Sequence, residues 1–110
     1  MKWWPRYPGD FGAKTRHLSL LERGAYDALL DHYYSHEEPL PASMEEVLRI
    51  AGARKDDEER AVRRVVAEFF PLNGDGKRHN KRADEEIKRS RLKSKSRRSA
   101  ALKRWNSASE

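Results

Sequence analysis

Thirteen Lys and Arg side chains fall between Lys77 and Trp105, where only 3 Asp/Glu stand against them, a local net charge of +10. Ammonium and guanidinium groups at that density can neutralise phosphates and release the counter-ions condensed on a nucleic-acid strand. Residues 1–76 carry 11 Lys/Arg against 14 Asp/Glu, and with Glu110 the chain of 110 residues comes to +6. A mildly acidic head with a strongly basic tail points to an anionic polymer as ligand, and in a cell that polymer is most often DNA or RNA.

The cations form three groups. Lys77 and Arg78 stand at the tip of a short turn and Lys81 and Arg82 at the head of a helix, together a phosphate clamp that would position the domain rather than read bases. Arg60, Arg63 and Arg64 share one helix, and bidentate contact with guanine is the chemistry that would make them base readers. Asp56, Asp57, Glu58, Glu59 and Glu68 offer these arginines competing partners on a solvated helix surface. Lys88, Arg89, Arg91, Lys93, Lys95, Arg97, Arg98, Lys103 and Arg104 make the main electrostatic cluster, with Trp105 among them to stack on a base or dock on a protein. Some 6–10 phosphate contacts would lower affinity by about 10³–10⁵ between roughly 50 and 200 mM salt. The competing reading is that this charge only keeps the tail solvated.

Catalytic chemistry finds little to use. Without Cys there is no thiol nucleophile, disulfide scaffold or Cys-ligated zinc site. His32 and His36 share a helix face at i, i+4, a ligand-compatible spacing, but no His-Glu-x-x-His pattern accompanies them. Asn73-Gly74-Asp75-Gly76 lacks the Lys-Ser/Thr of a phosphate loop and reads as a turn. The tail serines have no paired base. The expectation is a non-enzyme with no catalytic residue, cofactor or metal. Met1 to Phe11 does not read as a signal peptide, and no apolar run approaches the roughly 20 residues of a membrane span, so the expected setting is soluble and cytoplasmic, with no membrane partner.

The elements that must hold these groups follow from caps and periodicity. Pro5, Pro8 and Gly9 keep residues 3–11 out of a regular helix, so their aromatics are expected to pack back on the domain, with Asp10 capping a turn through Thr15. Ser19-Leu20-Leu21-Glu22 is a capping box opening a helix to about residue 35, whose apolar arc is wide enough to mark the central helix. Gly24 inside it costs about 1 kcal/mol against Ala and predicts the close approach of another helix. Ser43 and Glu46 open a short helix that Gly52 ends, and a third helix starts near Asp56 with Val62, Val65, Val66 and Phe69 inward. Residues 70–79 around the Asn-Gly-Asp-Gly turn suggest a hairpin, and Asn80 caps a last helix with Ala83 and Ile87 on the core. Three helices, a hairpin and a fourth helix match a mainly α, winged-helix-like domain, with 43–51 and 57–69 as the helix-turn-helix. A plain four-helix bundle is the rival. The predicted division is a domain over 1–87 and a basic, helical or partly disordered tail over 88–110.

Several blocks also carry a likeness. Tyr7-Pro8-Gly9-Asp10-Phe11, Thr15, Leu18-Ser19, Gly24-Ala25-Tyr26, Leu29-Leu30, Tyr33-Tyr34 and Pro39-Leu40-Pro41 resemble the YdaU-like family of phage and prophage proteins. Phe69-Phe70, Lys81-Arg82, Glu85-Glu86 and Arg104-Trp105 continue the resemblance over residues 3–105. It implies kinship with the N-terminal part of phage replication-initiation or replisome-organiser proteins and the cytoplasm of a bacterial host cell as the setting, and none of its blocks is a catalytic signature.

The expected function is therefore a non-catalytic nucleic-acid-binding accessory protein in phage or prophage replication or its regulation. The preference for double-stranded DNA rests on the winged layout and the resemblance, since charge alone fits RNA equally. The alternative is a protein-interaction module that docks on a replication, transcription or host-defence component through its aromatic N-terminus or C-terminal helix. Homodimerisation through the 83–105 stripe is a third expectation.

Overall fold

The computed structural model describes residues 15–108. The expectations for residues 3–11 and for Asp10 lie outside that range. Each helix begins where a side chain answers a free backbone amide. At the head of α1 (Leu20–His36), the Ser19 hydroxyl accepts from the Glu22 amide at 3.1 Å and the Glu22 carboxylate accepts from the Ser19 amide at 2.7 Å. The bond from the Ser19 amide holds the Glu22 carboxyl below its ordinary pKa. Ser43 caps α2 (Met44–Ala51), which ends at Gly52 with φ 78°, a left-handed conformation that favours glycine. The Glu58 carboxylate accepts the amides of Arg54 and Lys55, each at 3.0 Å, to start α3 (Asp56–Phe69). Asn80 caps α4 (Lys81–Ala108) by accepting from the Ala83 amide at 2.9 Å.

The central helix is α1, touched by each of the others. Its Tyr26, Leu29, Leu30, Tyr33 and Tyr34 are buried against Val47 of α2, Val62, Val65 and Val66 of α3, Phe70, and Ala83 and Ile87 of α4. Tyr26 packs on Phe69 with ring centroids 4.4 Å apart, and Phe70 lies 6.1 Å from both Tyr26 and Tyr33, an aromatic cluster between α1 and the end of α3.

The winged-helix-like expectation is overturned. Among the described residues there are four helices and no strand, so there is neither hairpin nor wing. Residues 70–80 turn back through the bonds Gly76 N–H to Asn73 O and Asn73 N–H to Lys77 O, but only the isolated bridge Leu72–Arg78 joins the two sides. Pro71 has no amide to extend a ladder. Arg78 gives its own N–H and C=O to Leu40 in the α1–α2 connection, at 2.8 and 2.9 Å, rather than to a hairpin partner. The helix-turn-helix assignment to 43–51 and 57–69 falls with the wing, because α2 and α3 serve as walls of an all-helical core around α1.

Beyond Ile87, α4 leaves this core. From residue 88 to 105 it carries no buried residue, and the molecule measures 65 × 31 × 24 Å. The radius of gyration is 17.7 Å, where a compact chain of this length would give about 13 Å. Residues 88–108 thus form an arm about 30 Å long at 1.5 Å per residue. No helix among the described residues is long and apolar enough to cross a membrane.

Candidate functional site

The arm is held at its base by a polar chain that crosses the fold. The Tyr33 hydroxyl, on the fully buried side of α1, donates to Asp84 on the first turn of α4 and accepts from the Asn80 amide at 3.3 Å. The other Asp84 oxygen lies 2.7 Å from His79 Nδ1, and His79 Nε2 lies 2.7 Å from Asp75 Oδ2 in the turn. Ionised carboxylates only accept, so both ring nitrogens donate and the imidazole is positively charged. Burial opposes that charge, but the bonds to Asp75 and Asp84 outweigh it and raise the His79 pKa. His79 in turn lowers the Asp75 pKa. Burial and the bond to Asp84 push the Tyr33 phenol up, so it remains a donor.

Two helical turns further on, Arg91 reaches back to the end of α1. Its Nε lies 3.3 Å from Glu37 Oε1, and its Nη2 donates to the Glu37 carbonyl at 2.8 Å. Glu37 has φ 52° at the C-cap of α1, where exposed carbonyls attract a cation. Arg78 acts similarly on the next connection, donating from Nε and Nη2 to the Ala42 carbonyl at 3.1 and 3.0 Å. Two of the cations expected to contact nucleic acid, Arg78 of the clamp and Arg91 of the tail cluster, therefore also tie elements of the fold together.

The remaining cations lie on separate surfaces. On α3, Arg64 pairs with Glu22 at 3.0 Å, while Arg60 and Arg63 are exposed and make no ion pair among the described residues. The competing partners foreseen for them are engaged elsewhere in two cases, Glu58 at the α3 cap and Glu68 with His17 at 2.7 Å. Lys77 and Lys81 are exposed, and Arg82 is half-buried. On the arm, Arg89 pairs with Glu86 at 3.4 Å. Lys88, Lys93, Lys95, Arg97, Arg98, Lys103 and Arg104 are exposed. At 100° per residue these cations encircle the helix rather than forming one face. Between them Leu92, Leu102 and Trp105 are 58%, 63% and 74% exposed. Leu102 and Trp105 are i, i+3 neighbours on one side, flanked by Lys95 and Arg98.

A second uncovered apolar surface lies at the other end of α1. Leu20 and Leu21, with Ala25, Ala51, Ala53 and Val62, line an open groove of about 380 Å³. Leu20 is 89% exposed and Leu21 40%, although periodicity places Leu21 among the core residues of α1. Gly24 borders this groove, and a Cβ there would meet nothing within 4 Å, so the predicted close approach of another helix does not occur.

His32 and His36 stack at 4.0 Å, and His36 Nδ1 donates to the His32 carbonyl at 3.0 Å. Burial, and then the neighbouring His36, lowers the His32 pKa. Among the described residues no three His, Asp or Glu side chains are arranged to hold a metal ion.

The sequence reading missed the Tyr33–Asp84–His79–Asp75 chain and the groove. Asp75 and His79 at i, i+4 were a local signal for the first, but the part played by Tyr33 needs the fold.

Residues 2–88 match the family described as protein of unknown function (DUF1376), and the chain belongs to that family. The match ends one residue past Ile87, the last buried residue of α4 among the described residues, so most of the arm lies outside it. No curated protein and no solved structure matches the chain.

Proposed function

We propose that this protein is a non-catalytic docking module that engages a protein partner through the α4 arm. The observation that carries the reading is the exposure of Leu92, Leu102 and Trp105 on a helix that has left its own core. Large apolar side chains kept in water along a projecting helix are anchors for a helix-in-groove contact, and the cations around them supply steering toward an acidic rim. The base, fixed by Ala83, Ile87, Asp84 and Arg91, sets the direction in which those anchors are presented. The partner class follows from the YdaU-like resemblance: a component of phage or prophage replication, transcription or host defence.

A second reading keeps nucleic acid as the ligand, and the net +10 between Lys77 and Trp105 favours it. With no wing among the described residues, its support is the encircling charge of the arm, which suits a phosphate backbone without sequence preference.

Capture from a nuclease-treated cell extract separates the two. Full-length protein is compared with Leu102→Glu and with the charge-reversed Lys95→Glu/Arg97→Glu. Capture of a discrete protein that survives nuclease and 0.5 M salt, and that Leu102→Glu abolishes, is the expected result. Binding that vanishes with nuclease and with charge reversal, yet persists in Leu102→Glu, overturns the docking reading in favour of nucleic acid.

A further inference from the structure

We infer that the groove beside Gly24 receives the arm of a second copy of this chain, so that the protein assembles head to tail. The inference rests on the arm being a docking element, as proposed above, and names one of its partners.

Both halves of the contact are on the surface. The arm offers Leu102 and Trp105 side by side, and the groove offers an apolar floor of Leu21, Ala25, Ala53 and Val62. Its volume of about 380 Å³ sits at the small end of the roughly 300–1,000 Å³ typical of ligand pockets, a size suited to side-chain anchors rather than to a whole helix. Charge is complementary at both scales. Glu58 lines the groove in a helical turn that also carries Asp56, Asp57 and Glu59, while Lys95, Arg98, Lys103 and Arg104 surround the arm's anchors. Arg54 and Lys55 stand just outside the groove, but residues 1–76 remain net negative against the positive arm.

The arm cannot serve its own groove. It leaves the core beside Glu37, at the C-terminal end of α1, whereas the groove lies beside Leu20–Ala25 at the opposite end. That separation is about 20 Å along α1, and α4, one unbroken helix that passes Tyr33 at Asp84 and Glu37 at Arg91, runs on away from the groove. Contact is therefore made in trans, between two different patches. Such an interface closes into a two-fold dimer when two copies exchange arms reciprocally, and otherwise propagates from copy to copy into a larger ring or a filament.

Gly24 supplies a clean probe. It is helical, its missing Cβ faces open space, and Gly24→Leu fills the groove while improving helix propensity. Sedimentation velocity of the full chain over a concentration series is expected to show mass growing with concentration to a dimer or a larger assembly. Gly24→Leu (groove filled) and Leu102→Glu (arm spoiled) should each weaken association by about thirtyfold or more, as loss of an interface hot spot does. The decisive arm mixes the two. Gly24→Leu keeps a working arm and Leu102→Glu a working groove, so together they should form a capped one-to-one dimer while each alone stays monomeric. A monomeric wild type at all concentrations overturns the inference. So does a mixture that fails to complement, or a Gly24→Leu chain that still associates on its own, since arm-to-arm pairing gives both. Thermal unfolding of each variant shows whether it is folded; should Gly24→Leu melt below wild type, Leu20→Glu replaces it. Capture of another protein by a monomeric wild type would leave the docking reading intact and remove only self-assembly.

Discussion

Replacing Tyr33 by Phe tests whether the arm is anchored through the polar chain or merely by packing. The ring is fully buried and Phe conserves it, so the substitution removes only the hydroxyl. That hydroxyl makes one bond to a carboxylate and a weaker one from the Asn80 amide at 3.3 Å. A hydrogen bond to a charged group contributes about 1.5–3 kcal/mol. The Asp84 side chain is 40% exposed, so water can replace part of the lost donor and the lower half of that range applies. The expected loss is about 1.5–2 kcal/mol, or about 6–15 °C in Tm for a domain of this size. Thermal and urea unfolding followed by circular dichroism measure it, and hydrogen exchange should show faster opening of the amides from Asp84 to Leu92. A double-mutant cycle with Asp84→Ala should return most of the loss as coupling between the two residues. A loss under about 0.5 kcal/mol would show the chain to be incidental. A loss above about 4 kcal/mol would show that Phe disturbs packing and that the hydroxyl was not the term being measured.

Three further outcomes follow from the same geometry. The folded pKa of His79 is raised above its ordinary 6.5, so its stabilisation is fully present below pH 6.5 and is lost as pH rises through the raised value. The stability gap between wild type and His79→Gln should therefore close on the alkaline side, and on the acid side as Asp75, ordinarily 3.8 and here lowered, takes up its proton. Ile87→Ala should cost about 2–4 kcal/mol in urea unfolding, because Ile87 and Ala83 are the buried apolar side chains by which α4 holds to the core among the described residues. Arg89/Lys93, Arg91/Lys95 and Lys93/Arg97 are like-charge pairs at i, i+4, so helix content measured at 222 nm should rise with salt as that repulsion is screened. A signal independent of salt would refute the assigned tension in the arm.

What the sequence made legible was local. The Ser19–Glu22 box, the Gly52 cap, the Asn80 cap and the inward Ala83 and Ile87 are each decided within a turn or two of chain, and each stands in the structure as read. The hairpin failed because its turn residues were right while its partner was not. Arg78 found Leu40, 38 positions away, and no composition cue for a turn reports a competing long-range bridge. Gly24 misled in the same manner, since a glycine marks freedom from a side chain without saying whether a neighbour or open space accounts for it. In the candidate site, the exposed cations and Trp105 were visible from charge and type. The tethering of Arg78 and Arg91 to backbone carbonyls, and the pairing of Tyr33 with Asp84, were not, because each joins residues far apart in sequence.

The most direct test of the arm as a docking element replaces Leu102 with a photo-crosslinking residue, Leu102→benzoylphenylalanine, in the full chain and irradiates it in cells. The account predicts discrete protein adducts, one of them a second copy of the chain joined near Leu21 and Val62. Adducts confined to nucleic acid, or none above those formed from an exposed control position such as Arg63, would contradict it.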